Sequence, residues 1–452
     1  MSQHVSRNGR KVLVIGWDSA PPELVFNEFI DDMPNVRRIM QQGVYGELES
    51  TIPAITCPAW MSMMTGKDPG TLGLYGFRNR SDYSYGKMSI ANSSLVKEDT
   101  VWDILSRAGK KSVIIGVPMT YPPKTINGYM ITCFLTPDTS SQYTYPPELK
   151  PEVESVADGY MLDVENFRTE NKDQLLEEIY KMTEKRFRVA EHLMKTKDWD
   201  FFMVVEMGTD RIQHGFWKFF DKNHRKYQPS KYENAIRDYY KYLDELAGRL
   251  ISAAGDDTVI LLVSDHGAKG MDGGICVNEW MIQNGYLKLK QYPETLTSLR
   301  DAVVDWRNTT AWGEGGYYSR IFLNVKDREP QGIIPAGDYE KVRDELISKL
   351  EALGDENGNP IGTRIFKPQD IYPVCKGIPP DLIVYFGDLS WRSVGSVGLK
   401  SIHSFENDTG PDDANHSQYG IFAMYNPGNK ATGNIKNAHI TDCASTILNL
   451  MI

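Results

Sequence analysis

Cysteine is scarce in this chain: its 452 residues include only five, Cys57, Cys133, Cys276, Cys375 and Cys443, an odd number with no C-x-x-C spacing. That pattern offers no disulfide framework and no thiolate metal module, and reads as reduced core or surface thiols. Long hydrophobic runs are also missing. No stretch approaches the roughly 20 apolar residues a membrane-spanning helix needs, and the polar start, Met1 to Lys11, runs into a strand without a signal-peptide core. A cytoplasmic location with no membrane partner is the expectation. Positive charge is not in excess either. Fifty Lys and Arg against 60 Asp and Glu leave a formal charge of −10, which disfavours a nucleic-acid phosphate backbone as partner. Bound divalent cations could still supply the local positive field that draws a phosphate to an acidic protein. Neither an internal repeat nor a low-complexity tract occurs.

What is present suits a large folded core. With 41% hydrophobic and 24% charged residues, the chain reads as one α/β domain over 1–452 with a substantial insertion, rather than two equal domains. Strands and helices alternate, as in a largely parallel central sheet flanked by helices. Apolar runs mark strands at 12–17, 112–116, 201–206, 259–263, 319–325, 382–386 and 419–424. Helical patterns cover 35–40, the segment from Thr56 through Met64, 101–108 and 442–450. Asn171 with Gln174 forms a capping pair ahead of the stripe Leu176, Ile179, Tyr180, Phe187, Ala190 and Met194. A second stripe runs from Tyr232 to Leu250 and stops at Gly255. Two stretches fit the sheet pattern poorly: 66–100, rich in Gly, Tyr, Asn and Ser, and 268–335, which holds Trp280, Tyr286, Trp306, Trp312, Tyr317 and Tyr318. They are candidates for inserted caps, or for an ordinary packed subdomain, since aromatic side chains mostly fill cores.

The chemistry gathers at strand ends. Ser264-Asp265-His266-Gly267 follows the buried run Val259 to Val263, and a carboxylate beside an imidazole there suggests metal ligation. A single such pair is weak, because capping and turn pairs are commoner. Other strand ends carry the same ligand types, however: Asp18 closes 12–17, Asp210 and His214 follow 201–206, and His416 precedes 419–424. In an open α/β sheet ligands collect at the carboxyl ends of strands, so these distant residues can meet. Asp210 and His214 are four apart, on one face of a helical turn. Thr56, in Thr51-Ile52-Pro53-Ala54-Ile55-Thr56-Cys57-Pro58, has no base beside it in sequence, and a threonine hydroxyl attacks at neutral pH only when something lowers its pKa. A metal is the sensible activator.

An early strand ending in Asp, then Thr before a helix, D-x-x-x-H, S-D-H-G and a late His, in that order, resembles the alkaline phosphatase superfamily, and within it the type I phosphodiesterase and nucleotide pyrophosphatase branch. The likeness covers nearly the whole chain. It implies an alkaline phosphatase-like α/β fold with inserted cap regions near 66–100 and 268–335 that select substrate. It also implies two divalent metal ions, usually zinc, with manganese as an alternative. Asp18, Thr56, Asp265 and His266 would surround one ion, and Asp210, His214 and His416 would hold the other. Thr56 would be the catalytic nucleophile of a two-metal phosphoesterase that cleaves a phosphodiester or nucleotide pyrophosphate bond through a covalent threonine intermediate. Its partner is then a small phosphate ester or nucleotide; nothing in the sequence sets an oligomeric state.

Departures and rivals are informative. Leu72-Gly73 stands where many relatives have His-Gly, which touches local packing or substrate contact and none of the ligands named above. Cys57 directly precedes Pro58 and no Arg follows at Ala59 or Trp60, unlike the sulfatases' C-x-P-x-R. The segment Asp327-Arg328-Glu329-Pro330-Gln331-Gly332 resembles one typical of a prokaryotic subgroup of predicted phosphohydrolases or phosphomutases. A phosphomonoesterase would use the same site with an extra cation from Lys67, Arg78, Arg80 or Lys269, and a phosphomutase the same metals and Thr56 in a closed site that excludes water. A metal-bound binding protein without catalysis is the third reading. His4, His192, His224 and His403 are expected to be packing or surface residues.

Overall fold

The computed structural model describes residues 10–452; His4 and most of the polar N-terminal stretch lie outside them. The central sheet runs in the order Gly433–Asn434, Val44–Glu49, Tyr419–Tyr425, Val259–Val263, Val12–Trp17, Phe201–Glu206, Ser112–Ile115, Gly128–Ile131 and Thr144–Tyr145, with Ala438–His439 also pairing against Val44–Glu49. Val12–Trp17 at its centre pairs parallel with Phe201–Glu206 on one side and Val259–Val263 on the other. These three strands are buried along their whole length, which is why they read as continuous apolar runs rather than alternating ones.

Helices cover both faces. Successive residues of a strand point to opposite sides, and the central strand shows the consequence at Gly16 and Trp17. A Cβ built on Gly16 would lie 2.5 Å from the Trp60 ring of helix Thr56–Thr65. Trp17 packs edge-on against Tyr240 of helix Ala235–Ala254, with ring centroids 5.8 Å apart. The two aromatic stripes read from the sequence therefore do pack inside: helix Lys172–Thr196, capped by the Asn171 side chain accepting from the Gln174 amide, packs against Gly208–Phe220 and Ala235–Ala254. The second stripe becomes helical only at Ala235, and Tyr232 stays in the turn before it.

The strand Tyr419–Tyr425 runs antiparallel to Val259–Val263, so its beginning lies beside the end of that strand, with Phe422 opposite Val263. This reversal brings His416, just upstream, to the edge where Trp17, Glu206 and Val263 end. Val44–Glu49 runs antiparallel to Tyr419–Tyr425 in turn and delivers the Ser50 to Thr56 segment to the same edge.

A second hydrophobic core is built by Ile275, Trp280, Trp312, Phe322, Leu382 and Trp391 with their neighbours. It extends past the 268–335 stretch, because Leu382–Tyr385 pairs with Ser319–Leu323 and Trp391–Val394 pairs with Gly273–Cys276. Four of the six aromatic residues noted there pack in this core, whereas Tyr317 and Tyr318 do not. Segment 66–100 joins the two cores: Leu72 and Leu74 pack in the larger, while Tyr85 stacks on Trp306 at 3.8 Å between ring centroids. No helix among the described residues is long and apolar enough to cross a membrane.

Candidate metal centre

Each candidate ligand sits where its strand ends. Asp18 follows Val12–Trp17, and the turn after it holds Ser19 at a φ of 64°, a left-handed conformation rare for serine. That turn is tied down: the Ser19 amide donates to Asp265 Oδ1 at 3.2 Å and Gln213 Nε2 donates to Ser19 O at 2.8 Å. Gly267 follows His266 at a crowded crossing, where a built Cβ would lie 2.3 Å from Tyr419 O. Backbone proximity therefore demands the glycine of the Ser264-Asp265-His266-Gly267 run. Thr56 opens helix Thr56–Thr65, and Asp210 and His214 share one face of helix Gly208–Phe220.

The structure brings all seven residues together. Asp18, Asp265 and His266 offer ligand atoms within 4.8 Å of one another, and Asp210, His214 and His416 do the same. Thr56 Oγ1 stands 3.4 Å from His266 Nε2, on the first cluster. Asp210 Oδ1 lies 3.2 Å from His214 Nε2 and 3.7 Å from His416 Nε2. The clusters are adjacent, since the rings of His266 and His416 stack with centroids 3.9 Å apart.

Every histidine is held by one nitrogen so that the other faces inward. His266 Nδ1 donates to Gly267 O, His416 Nδ1 to Ala54 O and His214 Nδ1 to the Asp412 carboxylate, at 3.1, 3.0 and 2.7 Å. Carbonyl and carboxylate oxygens only accept, so each Nδ1 carries a proton, and the neutral rings of His266 and His416 then present an Nε2 lone pair, the form that binds a metal. At His214 burial is outweighed by Asp412, Tyr317 and Asp210, which raise it well above its ordinary value, so its Nε2 would give up a proton to a cation. The carboxylates follow the same rule. Asp18 Oδ2 accepts from Trp60 Nε1 at 2.6 Å while its Oδ1 has no partner. Asp265 Oδ1 accepts from Ser19 while its Oδ2 has none. His214 Nε2 and His416 Nε2 are likewise buried without partners. Orphaned buried polar atoms are rare because each costs its desolvation, so four of them facing two small spaces fit a pair of cations.

The charge pattern agrees. Burial, and then Asp210, push the Asp18 carboxyl well above the usual range; burial, and then Asp18, do the same to Asp265. Such acids packed together in a dry site need a cation to stay ionised. Burial pushes His266 down to about 4, and burial with the neighbouring His266 pushes His416 well below its ordinary value, so both rings stay neutral and able to ligate. Burial opposes the charge of Asp210, yet His214 and Arg211 hold its carboxyl below the normal range.

A layer of residues that the sequence reading did not single out surrounds the ligands. Asp412 accepts from His214 and from Arg168 Nε at 3.0 Å. Arg211 pairs with Asp163 at 2.6 Å and also donates to Asp210. Tyr317 stacks on His416 at 4.2 Å and on His214 at 4.9 Å. The run Asp412-Asp413-Ala414-Asn415-His416 was the available signal, a carboxylate pair just before a candidate ligand. A cavity of about 360 Å³ opens at the centre, lined by Thr56, Asp210 and His416 and by Arg78 and Arg168. Of the four cations suggested for a monoester, only Arg78 lines it. Lys67 is exposed, Arg80 is buried against Glu329 at 3.1 Å, and Lys269 lines a separate cavity with Trp217. His403 bonds Gly354 O at 2.8 Å, His192 bonds Glu152 at 2.7 Å and His224 bonds Asp413 O at 3.0 Å. None of these three lines the cavity.

The family model for type I phosphodiesterase/nucleotide pyrophosphatase matches residues 12–412. Among solved structures, human ectonucleotide pyrophosphatase/phosphodiesterase 5 is similar over 98% of this chain and 94% of its own, at 14% identity and a TM-score of 0.54. The murine protein, as an inactive variant in complex with AMP, is similar over 98% and 94%, at 12% identity and 0.55. Phosphonoacetate hydrolase from Sinorhizobium meliloti, in complex with phosphonoacetate, is similar over 98% and 96%, at 13% identity and 0.63. At these identities the likeness is one of fold. No curated protein matches the sequence.

Proposed function

Because the chain belongs to the type I phosphodiesterase/nucleotide pyrophosphatase family, whose chemistry is phosphoester hydrolysis, we propose that it cleaves a phosphodiester or nucleotide pyrophosphate bond through a covalent intermediate on Thr56. The observation that carries this reading is the pair of adjacent buried ligand clusters, four of whose atoms have no partner, with the Thr56 hydroxyl against one of them on the wall of a cavity. Asp18, Thr56, Asp265 and His266 would hold one divalent cation, and Asp210, His214 and His416 the other. Two such cations, zinc by preference for this nitrogen and oxygen donor set and manganese otherwise, would supply Lewis-acid chemistry: a lower pKa for hydroxyl and water, and shielding of the phosphoryl charge.

The protein's own groups do the rest. Thr56 lies in the first turn of its helix, where free amides and the helix dipole favour an anion, so a phosphoryl group is drawn to the hydroxyl that attacks it. Thr56 Oγ1 gives up its proton and bonds to phosphorus as the bond to the leaving oxygen breaks, and that oxygen departs carrying a proton in exchange. Water then attacks the phosphothreonine, and the threonine oxygen departs and regains its proton. Asp412 and Arg211 keep His214 and Asp210 from rotating, and Tyr317 covers the rings on the cavity side.

Replacing Thr56 with Ala should lower turnover by about three orders of magnitude or more while much of the metal is retained, because only one contact of several is lost. Thr56→Ser should keep part of the rate. With a slowly turned-over diester, mass spectrometry of quenched protein should find the adduct on the peptide containing Thr56. An alanine variant near the wild-type rate, or an adduct elsewhere, overturns the mechanism. A monoester or mutase reading uses the same residues and draws on Arg78 at the cavity wall. Release of inorganic phosphate from a monoester, with no acceptor present, separates hydrolysis from transfer.

A further inference from the structure

A protein with ten more acidic than basic residues nonetheless places five arginines, Arg78, Arg168, Arg211, Arg320 and Arg392, against two carboxylates, Asp210 and Glu314, on the wall of the cavity beside Thr56. Three of the five are spoken for, Arg168 by the Asp412 carboxylate at 3.0 Å and the Tyr317 hydroxyl at 2.7 Å. Arg211 is committed to Asp163 and Asp210, and Arg320 donates to the Arg78 carbonyl. Arg392 is different. It comes from Trp391–Val394 in the smaller core, is only 4% exposed, and its Nε and Nη1 have no hydrogen-bond partner. The nearest carboxylates stand off, Asp408 at 3.5 Å and Asp412 at 3.9 Å. Asp412 already accepts from His214 and Arg168, and at 3.9 Å its Oδ2 is beyond hydrogen-bond reach of Arg392 Nη1. Burial depresses the Arg392 pKa, which those carboxylates only partly offset. A buried guanidinium with idle donors is costly unless an anion completes it.

Its position says which anion. Arg168 and Arg392 both approach Asp412, which lies behind the His214 ring, on the side away from the inward Nε2. Both line the cavity that Thr56 lines, yet each is anchored near Asp412 on the Nδ1 side of His214 rather than on its ligand side, which suits a part of the substrate other than the reacting phosphoryl group. Arg78, Glu314, Arg392 and Thr409 line both the inner cavity and a second one of about 380 Å³, so the two cavities share this wall.

We propose that Arg392, with Arg168 beside it and Arg78 toward solvent, forms an oxyanion subsite that receives a second negatively charged group, a phosphate or a carboxylate, at the far end of the substrate's non-leaving arm. This rests on the phosphodiester reading above. The substrate is then a diester with a charged tail, and an uncharged diester is a poor one.

The test uses three p-nitrophenyl phosphodiesters with the same leaving group, whose other arm ends in a methyl, a carboxylate or a phosphate. With full-length, metal-loaded wild-type protein, at least one charged tail should raise kcat/KM about tenfold or more over the methyl ester, mostly through KM, and which tail does so identifies the source of the anion. R392M should collapse that ratio toward one and R392K should restore part of it. A purely structural role for Arg392 would lower all three esters by a common factor, leave the ratio intact and overturn the subsite. The same preference is measured calorimetrically as binding to metal-loaded Thr56→Ala protein, with and without R392M. Were no ester hydrolysed by wild type, the diester reading would fall, yet a tail preference in binding that R392M abolishes would still establish the subsite. Binding without a tail preference overturns it.

Discussion

Asp412 shows how much of a candidate metal site lies outside the side chains proposed as its ligands. It fixes the His214 tautomer through a 2.7 Å bond and is itself pinned by Arg168. Asp412→Asn keeps the shape but puts an amide where a carboxylate was, and an amide can turn its donor toward Nδ1 and invert the tautomer. The expected result is about 10- to 100-fold weaker metal binding at the Asp210, His214 and His416 cluster, read by competition with a chelator, with the Asp18, Asp265 and His266 cluster still filled. Equal loss from both clusters would contradict the division. The same logic separates the ligands: His214→Ala or His416→Ala should empty one cluster and Asp265→Asn or His266→Ala the other, as crystallographic occupancy would report. At this scale the sequence was most legible, because Asp18, Asp210, His214, Asp265, His266 and His416 are the residue types metal chemistry requires, at strand ends. Asp412 and Arg392 were not, since an acidic pair and a lone arginine in a polar stretch look like solvated surface until their burial is known.

Elements aim these side chains, and one buried ion pair aims the second cluster. Arg186 of helix Lys172–Thr196 lies 3.2 Å from Glu206 at the end of Phe201–Glu206, both almost without exposure. Glu206 Oε1 in turn accepts from the Gly208 amide at 2.8 Å, at the start of the helix that carries Asp210 and His214. Arg186→Met strands Glu206 as an unpaired buried charge and should cost about 3 kcal/mol or more in denaturant unfolding, whereas adding Glu206→Gln should recover much of it. A single variant as stable as wild type would show the pair to be dispensable. The helical stripes and parallel strands could be read from periodicity, because burial on one or both faces leaves a pattern in the residues themselves. The π-helical turn Glu23–Glu28 and the link from Leu382–Tyr385 back to Ser319–Leu323 could not, since both depend on what lies alongside.

Across the whole molecule, the cavity at the candidate centre is lined by residues from both cores, Met207 of the larger and Glu314 and Arg392 of strands in the smaller among them, and the carboxylates of the centre are buried together. Cations that bind the folded chain and not the unfolded one must therefore stabilise it by mass action. Protein reconstituted with zinc or manganese should hold about two equivalents by elemental analysis, and chelation should both abolish activity and lower the melting temperature. Less than about half an equivalent after reconstitution would sink the assignment. The sequence by itself determined the α/β class, the order of the central strands along the chain and the residues able to ligate, because apolar period and residue chemistry are local properties. Only the tertiary structure decided that Tyr419–Tyr425 runs antiparallel and so delivers His416 to the carboxyl edge of the parallel strands. It alone also decided that Arg392, from the smaller lobe, ends at the cavity of the larger one with its donors unused. Strand direction and the desolvation of a charge are set by neighbours hundreds of residues away, and no window of sequence contains them.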